Sequence, residues 1–135
     1  MSAEKDLDKL LAGMSPELRA EEFVFCTFPN AAYGDHQDLH PVASFMESEG
    51  LTLVIPVAKA VEQGLPGEPV YRAISLRVHS SLDAVGLTAA LTTRLAERGI
   101  SANVMAAYYH DHVFVRDEQA EEAFKALMAL SRSYA

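Results

Sequence analysis

Tryptophan is absent from the 135 residues, and cysteine occurs once. A single thiol, Cys26, cannot close a disulfide within the chain, so the core alone must hold the fold, as in a reducing compartment. Basic residues are scarce as well: 11 Lys and Arg stand against 19 Asp and Glu, for a formal net charge of −8. They are scattered without a cluster, which opposes tracking along a phosphate backbone and excludes nucleic acid as the expected partner. Long apolar runs are also missing. The longest, such as residues 51–58, fall far short of the roughly 20 residues that cross a bilayer. The N-terminus alternates charges where a signal sequence has an apolar core. The expectation is a cytoplasmic protein with no membrane partner. No G-x-S-x-G, C-x-x-C or phosphate-loop motif occurs, and no carboxylates pair in an acid–base context, so no catalytic residue is assigned and an enzyme is not expected.

What is present is ordinary globular composition, 50% apolar and 22% charged, enough for one compact domain or two small half-domains sharing a sheet. Leu7, Leu10, Leu11 and Met14 recur at helical spacing and stop at Ser15-Pro16. Residues 22–28, with Phe23, Phe25 and Cys26, read as a strand ended by Pro29-Asn30. A turn-rich loop over 30–39 leads to a second predicted helix, from Pro41 through Phe45 and Met46 to Glu49, with Gly50 as its stop. Residues 51–57 are a buried strand, 58–64 one or two helical turns, and Leu65-Pro66-Gly67 a connector that divides the chain into halves at 1–66 and 67–135.

The second half is sharper. Ile74, Leu76 and Val78 alternate as a strand, and 83–98 carries Ala84, Leu87, Thr88, Leu91 and Leu95 on one helical face, with Gly99 as its stop. Two alternating runs, 102–108 and 113–116, meet at a turn around His110 and Asp111 that is too short for a crossover, so they form a hairpin. Asp117 caps a last helix built on Ala120, Ala123, Phe124, Leu127 and Met128. A diluted repeat relates the halves: E-x-E-G-L-T-L-V at 47–54 lies against A-E-R-G-I-S-A-N at 96–103, each read as a helix end, a glycine stop and a buried strand.

The strongest candidate for chemistry is the turn over 79–86. A helix start offers unpaired N–H groups and a positive dipole end that hold a carboxylate. Gly86 lets a ligand or another chain approach the backbone, Ser80 and Ser81 add hydroxyls, and Asp83 suits an ammonium group. Together they fit an amino acid zwitterion. The alternative is that Ser81 merely caps the helix and Asp83 merely complements its dipole. Asn103 is a polar residue in an apolar strand, either a satisfied amide or a contributor to this site. The histidines of Y-Y-H-D-H, Tyr108 to His112, fall at the hairpin turn, where short polar residues serve the backbone, and no further ligands lie nearby, so no metal is assigned. Tyr108, Tyr109 and His110 fit the lining of a ligand pocket better. D-H-Q-D-L-H, residues 35–40, reads as a solvated loop, because His40 precedes Pro41 and is turned away from helix.

D-x-x-G-L from Asp83 to Leu87, followed by L-x-x-x-L-A-E-R-G-I from Leu91 to Ile100, resembles the ACT domain, a small ferredoxin-like regulatory module. The longer run S-S-L-x-A-V-G-L-T with N-V-x-A-x-Y-Y-H-D-H is similar to one branch of that superfamily, small bacterial proteins with two ACT-like units and no assigned activity. The resemblance implies an α+β fold of two βαββαβ units, helices covering antiparallel sheets, and no cofactor. It implies an effector, an amino acid by class, at the glycine turn across an interface between units, as in a homodimer. The residues it points to are Ser80, Ser81, Asp83, Val85, Gly86 and Leu87, with Asn103, Tyr108 and His110 around them. The family often places an asparagine where Ser101 stands, and Asn103 lies on the same strand face two residues on. The leading half lacks D-x-x-G-L and departs from the pattern. The rival expectation is a dimeric protein-interaction scaffold that binds no small molecule.

Overall fold

In the computed structural model, which describes residues 3–135, packing divides the chain into two compact units. One joins residues up to Ala20 with Arg72–Ala135, and the other is Glu21–Tyr71. The first helix, α1 (Leu7–Ala12), is short and opens on an Asp6 cap whose carboxylate accepts from Lys9 N at 3.1 Å. Strand β1 (Pro16–Phe28) runs out of the first unit into the second. It begins six residues before the Glu22 at which the sequence pattern starts it. Its polar opening, P-E-L-R-A-E, hides a strand fixed by partners elsewhere: Arg77 N donates to Ser15 O, and the Arg72 guanidinium donates twice to Arg19 O, at 3.0 and 2.8 Å.

In the unit Glu21–Tyr71 the strand order is β2-β3-β1, with β2 (Ala43–Glu47) and β3 (Gly50–Pro56) both in antiparallel pairs. The helix expected from Pro41 to Glu49 is therefore a strand, and this is a correction. Phe45 stands opposite Thr52 and Glu47 opposite Gly50, leaving Ser48 and Glu49 as a two-residue hairpin turn. The ladder to the strongly apolar β3 outweighs the weak helical spacing of Phe45 and Met46, which are exposed on an almost wholly exposed strand. Gly50 is not a helix stop. A Cβ there would sit 2.7 Å from Pro29 Cα, so the residue is glycine because two backbones touch. The repeat built on Gly50 and Gly99 thus fails before Gly50, which follows a strand and not a helix, and on the Gly99 side only Asn103 of the aligned residues 100–103 lies in a strand. Val24, Leu39, Leu51, Leu53, Ile55 and Ala60 form the core, with Ala60 from α2 (Val57–Glu62) and Leu39 from a single 3-10 turn, Gln37–Leu39.

The other unit orders its strands as β1-β4-β6-β5, from β4 (Tyr71–Leu76), β5 (Asn103–Ala106) and β6 (Asp111–Arg116). β5 and β6 pair antiparallel as the expected hairpin, with Val104 opposite Val113. Ile74 and Leu76 of β4 and Val113 and Val115 of β6 turn one sheet face into a single apolar cluster. It is shared with Leu91 and Leu95 of α3 (Leu87–Glu97) and Ala123 and Leu127 of α4 (Ala120–Arg132). Leu10, Leu11 and Met14 of the α1 region close it, and Ser131 Oγ donates to Ala12 O at 3.1 Å. Gly99, at φ 72, ends α3 in the left-handed conformation a side chain resists. The order strand–helix–strand–strand–helix from β4 to α4 is the α+β pattern expected.

Candidate functional site

After β4 the chain crosses to α3 through residues 77–86, and the N-terminal segment pairs with it: Glu4 N donates to His79 O and Ser81 N to Glu4 O, both at 3.0 Å. Ser81 organises the bend. Its hydroxyl accepts from Asp83 N at 3.1 Å and its carbonyl from Ala84 N at 3.0 Å, so Ser81 caps this local turn and not the helix. The helix cap is Gly86, at φ 102, with no side chain to offer. Among the described residues, the N–H groups of Leu87, Thr88 and Ala89 have no hydrogen-bond partner, the ordinary state of a helix start without a side-chain cap.

Ser80 and Asp111 meet below this opening. Both are buried, and Ser80 Oγ donates to Asp111 Oδ2 at 3.2 Å. With Ser81, Leu82, Ala84, Leu87, Thr88 and Ala106 they line a cavity of about 70 Å³. Of the residues singled out from the sequence, Ser80, Ser81 and Leu87 line it. Asp83 and Val85 are exposed outside it, and Gly86 faces Leu7, whose Cδ2 would lie 3.0 Å from an added Cβ. Asn103 is on β5, where its Nδ2 donates to Phe114 O at 3.3 Å. His110 Nδ1 lies 3.4 Å from Val78 O, which ties the hairpin tip to the strand end preceding the turn. Tyr108 and Tyr109 stand in the solvent, 72% and 61% exposed, with the Tyr109 ring 5.2 Å from that of His79.

Sequence reasoning missed Asp111, which it gave to the hairpin turn, along with Leu82 and Ala106. The partner of Asp111 is 31 residues away in the chain, and no local pattern marks such a pair. His112, one residue on, places Nδ1 2.8 Å from Ser75 Oγ. Burial, then the positive charge of Arg19 and the neighbouring His110, hold its imidazole below the usual range against an opposing pull from Asp111. Burial pushes the Cys26 thiol up, which disfavours its thiolate form. Among the described residues no three His, Cys, Asp or Glu side chains gather in a metal-holding group, and no helix is long and apolar enough to cross a membrane.

Two models of the ACT domain match the chain, one over residues 2–72 and one over residues 68–129. The chain belongs to the ACT domain family, and its six described strands and four helices form two ferredoxin-like units in tandem. ACT domains are regulatory, not catalytic, modules that bind small ligands and oligomerise. Among solved structures, a protein of unknown function from Vibrio cholerae, described as a possible transport protein, is 53% identical over 94% of this chain and 97% of that one, with a TM-score of 0.84. The ligand-free regulatory subunit of aspartate kinase from Thermus thermophilus matches with a TM-score of 0.62 at 9% identity, over 87% of this chain and 97% of that one. A chain from the aspartokinase alpha and beta subunits scores 0.63 at 12% identity over 87% and 97%. At such identities these two share the fold. No curated protein matches the chain.

Proposed function

We propose that the chain is a cytoplasmic sensor of a small molecule, an amino acid by class, bound at the turn before α3 and enclosed when two copies associate as a homodimer. The observation that carries this reading is the opening of α3, where three N–H groups without partners lie beside the buried Ser80–Asp111 pair. The N–H groups and the helix dipole suit a carboxylate, and Asp111 and Asp83 supply negative charge for an ammonium group. The cavity of about 70 Å³ is far below the roughly 300–1,000 Å³ of complete small-molecule sites, so the ligand needs a second wall. Leu82 and Val85, 67% and 82% exposed beside the turn, offer a second copy an apolar surface to cover. Occupancy would then shift the equilibrium between the two copies or toward a regulated partner.

The test is thermal unfolding in the presence of each of the twenty amino acids. A ligand at a hundred times its dissociation constant stabilises the fold by about 2.7 kcal/mol. A shift for one or a few is expected, and no shift with any of them would remove the amino acid from the proposal. A dimeric scaffold without a ligand is the second reading, favoured by one observation: the Leu7 side chain already lies against Gly86.

A further inference from the structure

The connection between β1 and β2, residues 29–42, carries one 3-10 turn and is otherwise irregular, and the function proposed above makes no use of it. It is an irregular loop held from inside. Ala32 N donates to Asp35 Oδ2 at 2.8 Å, Asp35 N donates back to Ala32 O at 3.0 Å, and the His36 ring stacks on Phe28 with centroids 4.1 Å apart. Leu39 is buried in the core of this unit, and Val42 N donates to Val54 O at 2.8 Å. Two non-glycine residues, His36 at φ 63 and His40 at φ 52, are kept in the left-handed region, a conformation that persists only where the surroundings impose it. The loop lines an open cavity of about 270 Å³, close to the roughly 300 Å³ at which small-molecule sites begin.

The lining has a definite chemistry. Leu53, itself buried, and Val42 present apolar surface, while Tyr33, Gln37 and Ser44 bring an aromatic ring, an amide and a hydroxyl. Asp35 is the one charged side chain in the lining. One of its oxygens is committed to Ala32 N, and the other has no hydrogen bond among the described residues. A carboxylate and an aromatic side chain lining one cavity with Leu53 and Val42 suit a cation that carries carbon, because a carboxylate and an aromatic ring both attract positive charge and the aliphatic groups reward contact with methylenes. We infer that this cavity is a second ligand site, separate from the α3 turn, for a small organic molecule bearing an ammonium group.

Two matched probe pairs test it, choline against its uncharged carbon analogue neohexyl alcohol and butylammonium against butanol. They are titrated into the full chain and followed by backbone amide chemical shifts. At least one cation should move the signals of residues 33–37 and 42–44 at millimolar concentration, while its neutral partner leaves them in place. Asp35→Asn keeps an oxygen for the Ala32 N–H and so keeps the loop, which the unperturbed amide spectrum checks, yet it should weaken that cation by about tenfold or more. Equal binding of cation and neutral analogue, undiminished binding by Asp35→Asn, or cation-induced shifts confined to residues 80–89 would each overturn the inference, as would the absence of shifts with both cations. An amino acid effect on residues 80–89 reports on the other site alone, so the two proposals fail separately.

Discussion

Single residues around the α3 turn carry measurable consequences. Gly86 combines a left-handed backbone with a Cβ position 3.0 Å from Leu7 Cδ2. Gly86→Ala should therefore cost about 1–2 kcal/mol from backbone strain, read from urea unfolding. Asp111→Ala strands the buried Ser80 hydroxyl and should cost about 1–3 kcal/mol in the same measurement. His112 gives a pH signature. Its folded pKa is lowered from 6.5, so the unfolded chain takes up the proton first, and the contribution to stability is full above the usual histidine value and lost as the pH falls through the folded one. The urea midpoint should drop as the pH falls below the usual histidine range, and His112→Gln should flatten that part of the profile. Ser80, Ser81 and Leu87, which line the small cavity, were legible as candidates because a polar turn before a helical stripe is a local pattern. Asp111 was not, since only the fold brings it 3.2 Å from Ser80 Oγ.

At the scale of elements, α3 and α4 were readable because each keeps an apolar stripe that the sheet then buries: Leu91 and Leu95 in one, Ala123 and Leu127 in the other. Leu91 is fully buried in that cluster, and Leu91→Ala should cost about 2–5 kcal/mol. A calorimetric melt would check it, and a loss of under about 1 kcal/mol would mean that α3 does not pack as described. β2 was misread for the opposite reason. Its exposed residues gain little from either periodicity, so the decision passed to the ladder with β3, where Phe45 lies opposite Thr52. The early part of β1 was missed on the same ground, because polar residues that owe their strand to partners far along the same chain leave no mark in an apolar pattern.

At the scale of the whole molecule, Leu82, Val85, Tyr108 and Tyr109 are exposed on the turn before α3 and on the β5–β6 hairpin, and the cavity proposed as a site at that turn is too small to enclose a ligand alone. If a second copy covers them, sedimentation should show a dimer, and the double substitution Leu82→Lys with Val85→Lys should give a folded monomer, because two buried ammonium groups would lack partners. A wild-type monomer at every concentration, with or without amino acids, would remove the second wall from the proposal. The net charge of −8 keeps such a protein soluble while leaving association to local apolar contact.

The sequence by itself determined the elements whose pattern is strong and local: the helix opening on the D-x-x-G-L turn, the hairpin after it, the last helix and the family to which the chain belongs. Each depends on residues close together in the chain, where periodicity and turn chemistry act. Only the tertiary structure decided that α1 closes the core of Arg72–Ala135, that residues 43–47 extend rather than coil, and that Ser80 finds Asp111. Those outcomes rest on contacts between distant residues, whose free energy exceeds the weak local preferences they override and appears in no window of the sequence.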